Sequence, residues 1–186
     1  MTEVINYLHF EVLDSTSLYL RKMSGHLQPF TVASADFQTA GRGRGDRKWH
    51  SPPGGCAMFS ILLDKLPEWD FDTLGALSAR TAELIASWLT EKFSVPTTVK
   101  HPNDVFVNGR KICGVLIEDA SGKLIVGVGL NTNLRPGDVS ADIEVESLGN
   151  FCGTNIDNRS LIEELAEYLV AGLRNFEKYH GEEKTT

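Results

Sequence analysis

Short apolar runs broken by glycine and polar turns alternate with two long stretches whose apolar residues recur at helical spacing, a pattern that predicts a chain mixing strands and helices. Tyr7 to Leu13 reads as a strand, and it runs into Asp14-Ser15-Thr16-Ser17, a helix N-cap signature ahead of Leu18 to Met23. Phe30 to Asp36 and Ala57 to Leu63 are β-prone runs flanking a glycine-rich connection of about twenty residues, and connections of that length are uncommon unless they carry function. From Asp72 to Lys92 the positions of Leu74, Leu77, Ala82, Leu84, Ile85, Trp88 and Leu89 trace one face of an amphipathic helix. Thr97 to Asn133 changes to short strands joined by hairpin turns at Asn108-Gly109 and Ser121-Gly122. Leu134 to Thr154 lacks periodicity and is expected to be a loop with a short turn of helix. Asp157-Asn158-Arg159-Ser160 then opens a helix running to about Tyr179, with residues 181–186 as a flexible tail.

Helices gathered with an antiparallel run of strands predict an α+β fold: a mixed, largely antiparallel sheet with packed helices. Strand and helix do not alternate regularly enough for a doubly wound sheet. A chain of 186 residues suits one domain with a full core, taken here as residues 1–180.

Composition narrows the function classes. Hydrophobic residues make up 41% and charged residues 23%, ordinary values for a globular chain, and no apolar run is long enough to span a bilayer. Met1-Thr2-Glu3-Val4-Ile5 does not read as a secretory leader, so the cytoplasm is the expected compartment. A net charge of −7 disfavours broad nucleic-acid binding, which depends on an extended basic surface. Cys56, Cys113 and Cys152 are widely separated, form no metal-binding spacing, and are expected to be free thiols.

Against that acidic background, Gly41-Arg42-Gly43-Arg44-Gly45-Asp46-Arg47-Lys48-Trp49 packs three glycines, four cations and an aromatic ring into nine positions. Glycines let backbone N–H groups approach a ligand, and arginines add forked donors suited to carboxylate or phosphate, so the loop reads as an anion holder. A solvated basic turn is the plain alternative. Downstream come Lys100-His101-Pro102-Asn103-Asp104, then Gly109-Arg110-Lys111-Ile112-Cys113-Gly114, then Val126-Gly127-Val128-Gly129-Leu130-Asn131. Together with Asp14-Ser15-Thr16 and Gln38, these resemble the ordered motifs of the biotin protein ligase catalytic domain over residues 5 to 178.

The resemblance implies a class II aminoacyl-tRNA synthetase-like, biotin–lipoate ligase fold. It also implies an enzyme that uses ATP and Mg²⁺ to convert biotin to biotinyl-AMP and then passes biotin to a lysine of a biotin carboxyl carrier protein. Ser15, Thr16, Ser17 and Gln38 match residues that meet the biotin ring. Gly41, Arg42, Gly43 and Arg44 match the segment along its carboxylate and the α-phosphate, with Gly114, Gly127 and Gly129 as the pocket floor. Lys111 matches the lysine bridging carboxylate and phosphate and, with Arg44, is the expected catalytic residue. Arg47, Trp49, Asn103 and Asn131 match nucleotide contacts, and Asp104 a magnesium ligand. Read without the resemblance, Ser15 is a plain helix cap, Trp49 a packed core residue and Lys111 a surface lysine at a strand end.

His101 stands where the family usually has Trp, Ser17 where it often has Asn, and Gly45-Asp46 where more basic or glycine residues are usual. Many relatives add a C-terminal SH3-like domain and a subset an N-terminal helix-turn-helix; this sequence matches the catalytic domain alone, so no repressor function is expected. A homodimer is the default assembly. The competing readings are a lipoate or octanoyl transferase of the same architecture and a non-catalytic biotin-sensing module.

Overall fold

The computed structural model describes residues 5–65, 69–139 and 144–182, with side chains to residue 174. Its elements are β1 (Asn6–Leu13), α1 (Thr16–Met23), β2 (Thr31–Gln38), β3 (Cys56–Asp64), α2 (Phe71–Phe93), β4 (Thr97–Lys100), β5 (Asp104–Val107), β6 (Arg110–Asp119), β7 (Lys123–Asn131), α3 (Leu148–Cys152) and α4 (Asn158–Glu182). The strands form one seven-stranded sheet in the order β1-β2-β3-β7-β6-β5-β4. β1 and β2 run parallel with α1 as their crossover, and every other neighbouring pair is antiparallel. The expected mixed, largely antiparallel α+β architecture is therefore the observed one.

Strand alternation separates a core face from a site face. On β3, Ala57, Phe59, Ile61 and Leu63 join the main core with residues of α2 and α4, and Leu124, Val126, Val128 and Leu130 of β7 do the same. The opposite face of the two strands carries Cys56, Met58, Ser60 and Leu62, set against Asn131, Gly129, Gly127 and Ile125 in register. α1 covers the Leu62–Ile125 end of that second face through Leu20, and its first residues, Thr16 and Ser17, reach Ser60. At the other end Cys56 and Met58 form a small cluster with Leu134 and Trp49, and between the two ends Ser60 and the glycines leave a hollow.

Helix ends follow local chemistry. α2 begins at Phe71 because the Asp70 carboxylate accepts hydrogen bonds from Thr73 N at 2.9 Å and Thr73 Oγ1 at 2.8 Å, and it ends at Ser94 in the left-handed conformation. Its predicted apolar stripe is buried from Leu77 to Leu89, with Leu74 half-buried at the rim. The hairpin turns carry Asn108-Gly109 and Ser121-Gly122 at positive φ, as type I′ geometry requires. α3 is the short helical turn expected within 134–154; residues 140–143 of that segment lie outside the described residues. α4 continues past Tyr179 to Glu182, and the rest of the expected tail, from residue 183, lies outside the described residues. Among the described residues no helix is long and apolar enough to cross a membrane.

Candidate active site

The hollow on the second face is a cavity of about 650 Å³, and the segments singled out from the sequence converge on it from five elements. Successive cross-strand rows form its floor. Met58, Gly129 and Gly114 make one row, and Ser60, Gly127 and Leu116 make the next. Two rows are about 7 Å apart along the strands, far enough to serve different parts of one ligand.

The Ser60 row is the polar end. Thr16 Oγ1 lies 2.8 Å and Ser17 Oγ 3.1 Å from Ser60 Oγ, all three side chains being buried. Gln38 reaches in from β2, where its Oε1 accepts from Thr16 N at 2.8 Å and from Thr16 Oγ1 at 3.3 Å. Gln38 therefore does the capping that the sequence assigned to Ser15. Ser15 occupies the N-cap position, but its side chain makes no cap hydrogen bond, and it stays buried along the cavity wall. Gly127 leaves room for this group, since a Cβ there would stand 3.0 Å from Ser17 Oγ and push it aside. Hydroxyls and an amide gathered this way both donate and accept, which suits a neutral polar group such as a urea.

The Met58 row lies under the glycine loop. Residues 41–49 fold into a small hairpin: Gly43 N donates to Arg47 O at 2.9 Å, Trp49 N to Gly41 O at 3.1 Å, and Arg42 bridges Lys48. Gly41 is required by that hairpin, since a Cβ would meet Trp49 O at 2.4 Å. The hairpin lays the Trp49 indole flat over the floor glycines. A Cβ on Gly129 would come 2.6 Å from Trp49 Cε2, and one on Gly114 would come 3.0 Å from both the indole and Lys111 Nζ. Gly43 and Arg47 line the cavity rim, and Arg47 Nε donates to Arg44 O at 3.3 Å.

The cationic end is organised around Lys111. Its Nζ is 2.7 Å from Asp104 Oδ1 and 5.6 Å from the centroid of the Trp49 ring. Its backbone is clamped: N donates to Glu144 O at 3.1 Å, while O accepts from Glu146 N at 2.9 Å and from Asn131 Nδ2 at 3.1 Å. Asn103 links the loop to this centre, accepting from Arg44 Nη1 at 3.1 Å and donating to Asp104 Oδ1 at 3.0 Å and Val115 O at 3.1 Å. Arg44, Asn103, Asp104 and Lys111 are thus one hydrogen-bonded chain, and Asn131 sets its register. Among the described residues no cluster of three or more His, Cys, Asp or Glu gathers as a metal site. Asp104 alone suits a magnesium that arrives on phosphates and keeps most of its waters.

The two loop arginines point to opposite ends. Arg44 faces the Lys111 chain, whereas Arg42 Nη2 lies 2.9 Å from Glu118 Oε1 at the α1 end, so a carboxylate of the protein already neutralises it. His101, in the expected aromatic position, is exposed and stands outside the cavity lining. The thiols of Cys56 and Cys113 are pushed up by burial, Cys56 to about 11, and all three cysteines are free.

Ser60 and Glu118 are among the residues here that sequence reading missed. Ser60 sits in an apolar β3 run and Glu118 at the end of β6, and neither belongs to a local motif. The one signal available was Ser60 as the polar break in Ala57–Leu63.

Residues 9–133 match the Biotin/lipoate A/B protein ligase family. The chain is 31% identical over 174 residues to the "Bifunctional ligase/repressor BirA" of Bacillus subtilis (strain 168), covering 88% of this chain and 53% of that protein. It is 31% identical over 131 residues to the "Biotin--[acetyl-CoA-carboxylase] ligase" of Mycobacterium tuberculosis, covering 69% of this chain and 49% of that one. The chain therefore spans about half the length of these curated relatives. Its fold superposes with a TM-score of 0.79 on the biotin protein ligase from Aquifex aeolicus solved in complex with biotin and ATP, at 31% identity, covering 93% of this chain and 72% of that one. The expected class II synthetase-like, biotin–lipoate ligase fold is borne out by this likeness.

Proposed function

This chain belongs to the Biotin/lipoate A/B protein ligase family, and we propose that it joins biotin to AMP at the expense of ATP and then transfers the biotinyl group to a lysine of a biotin carboxyl carrier protein. The observation that carries this reading is one continuous cavity with a hydroxyl–amide end at Ser60 and a cationic end at Lys111, the Trp49 indole seated on its floor beside the cation. Its volume falls within the few-hundred-to-thousand Å³ range of small-ligand sites.

In this reading Ser15, Thr16, Ser17, Gln38 and Ser60 hold the ureido ring, and the acyl chain crosses Gly127 and Leu116 to the edge of the Trp49 indole, which itself covers Gly129 and Gly114. The carboxylate then reaches Lys111 and Arg44. In the first step a carboxylate oxygen bonds to the α-phosphorus of ATP and the bond to pyrophosphate breaks. Two anions meet in that step, so fixed cations at the reacting oxygens lower the barrier more than the ground state. Lys111, paired with Asp104 in the free protein, is the cation that turns to the ligand, and Asp104 is the carboxylate that would hold a magnesium carried by the phosphates. Trp49, Arg47 and Asn131 form the nucleotide end, and Asn103 holds Arg44 in place. In the second step the acceptor amine attacks the acyl carbon, AMP leaves, and the amine loses its proton. The loop hairpin excludes water from the mixed anhydride meanwhile.

The test is biotin- and MgATP-dependent pyrophosphate release, with and without a biotin carboxyl carrier domain, followed by the intact mass of that carrier. The proposal expects release and one biotinyl increment. Release with lipoate in place of biotin would make the chain a lipoate-activating ligase, acyl transfer from an octanoyl thioester without pyrophosphate release would make it a transferase, and biotin binding without either would make it a sensor.

A further inference from the structure

Glu118 is a carboxylate buried to 8% exposure, on the site face of β6, one row beyond Leu116 and in register with Ile125. Two guanidinium groups converge on its Oε1: Arg21 Nη2 of α1 at 3.0 Å and Arg42 Nη2 of the glycine loop at 2.9 Å. Its Oε2 is also buried and has no hydrogen-bond partner among the described residues. Burying a carboxylate is costly unless the partners are well placed, so the position demands an account.

The loop's other attachments give one. Its base is tied to the sheet by Thr39 N to Leu13 O and Ala40 N to Asp14 O, and its hairpin bonds are internal. Beyond that base, Trp49 anchors the end of the hairpin on Cys56, Met58 and Leu134, and the arginine side chains fasten the rest at two points, Arg44 to Asn103 on one side of the cavity and Arg42 to Glu118 on the other. Arg21, by contrast, sits on α1 and does not touch the loop.

We propose that Glu118 is a positioning residue: by gripping Arg42 it holds the glycine loop down over the cavity and so retains the acyl-adenylate. Its role in retention rests on the proposed function; its grip on the loop does not. A carboxylate–guanidinium contact is strong enough, as a charge-assisted bond, to bias a loop between closed and open states by tenfold or more.

Two measurements on the full chain test this. The first is tryptic cleavage after Arg44, Arg47 or Lys48 in the ligand-free protein, followed by mass spectrometry. Glu118→Gln should be cut about tenfold faster than the parent, and Arg21→Gln, which removes only the α1 partner, should be cut at nearly the parent rate. Glu118→Gln/Arg42→Gln should be cut no faster than Glu118→Gln alone. Equal acceleration by Arg21→Gln, or none by Glu118→Gln, would overturn the assignment. If Glu118→Gln does not fold, Arg42→Gln alone must show the faster cleavage, and its failure to do so would be equally decisive.

The second measurement is pyrophosphate release without carrier. A retained adenylate limits release to one equivalent per site, so Glu118→Gln should keep the burst amplitude while its later steady rate rises about tenfold. A reduced burst with no rise in the steady rate would mean that Glu118 serves chemistry or folding rather than retention. If the parent protein releases no pyrophosphate at all, the proposed function fails while the cleavage experiment still decides the grip on the loop.

Discussion

Replacing Gly129 by Ala isolates the seat of Trp49. Gly129 has no positive φ, so Ala is compatible with the backbone and by itself would stabilise the chain by about 0.4–1 kcal/mol through the unfolded state. The added Cβ would lie 2.6 Å from Trp49 Cε2 and 2.7 Å from Cζ2, where ordinary contact begins at 3.4 Å. A rigid indole cannot fold away as a long side chain can, so the ring has to lift by roughly 1 Å, a gap that forfeits a quarter to a half of the contact attraction on that face. Spread over the ring, that is about 1.5–3 kcal/mol, or roughly ten- to hundredfold in nucleotide binding. The expected outcome is a KM for ATP raised by up to that factor, a KM for biotin changed less than about threefold, and, because the same contact is lost in the free protein, a Tm lowered by roughly 1–10 °C.

The companion substitution, Gly127→Ala, lies one row away and should do the opposite. Its Cβ would stand 3.0 Å from Ser17 Oγ and 3.6 Å from Ser60 Oγ, so it crowds the hydroxyl end and should raise the KM for biotin while sparing ATP. A double-mutant cycle separates mechanism from accident: with Trp49 already replaced by Ala, Gly129→Ala should cost little more. The reasoning would be refuted if Gly129→Ala weakened ATP and biotin alike, or if its effect persisted in full without the indole.

Lys111→Ala removes the ammonium beside Asp104 and should lower kcat for pyrophosphate release by about 10²–10³-fold, with biotin affinity by calorimetry changed far less. Equal losses in both would assign Lys111 to binding alone. Ser60→Ala leaves the Thr16 and Ser17 hydroxyls without their shared partner and should cost about 1–3 kcal/mol, seen both as weaker biotin binding and as a lower Tm. An unchanged Tm with unchanged binding would mean that water replaces Ser60 at no cost. Because burial raises the Cys56 thiol to about 11, above its unfolded value, the unfolded chain ionises first, and stability from this group is lost as pH climbs from about 9 toward 11. At pH 8 iodoacetamide should accordingly modify half-buried Cys152 and leave Cys56 and Cys113 intact, with modification of either buried thiol in the native protein counting against this burial.

Much of this was legible because its signals are local. The apolar stripe from Leu77 to Leu89 encodes α2 through period alone, and the two hairpins announce themselves through Asn108-Gly109 and Ser121-Gly122. The loop composition of residues 41–49 likewise marks an anion holder before any partner is known. What resisted reading is what depends on partners distant in the chain. Thr16 looks like a residue capped by its neighbour Ser15, but its N–H is satisfied by Gln38, which becomes adjacent only because β1 and β2 run parallel. Arg42 and Arg44 look equivalent in sequence, yet a hairpin and two separate acceptors send them to opposite ends of the cavity.

Antiparallel register explains why the missed residues sit where they do. Gly127 and Gly129 lie two apart on β7, so both face the site, and each selects its own neighbours on β3 and β6: Ser60 with Leu116, and Met58 with Gly114. A strand glycine is readable as a gap in packing. What fills the gap is not readable, because the filler is set by a register involving residues some seventy positions away. The same register carried one step further, to Ile125, lands on Glu118 and on the last turn of α1, where the floor stops being hollow and the loop finds its second arginine attachment. The sheet therefore spaces its chemistry in rows of two residues. A row of glycines under an indole, a row of hydroxyls under a helix start and a row closed by a buried carboxylate follow one another along β6 and β7, which is why substitutions only two residues apart are expected to separate nucleotide, biotin and loop effects.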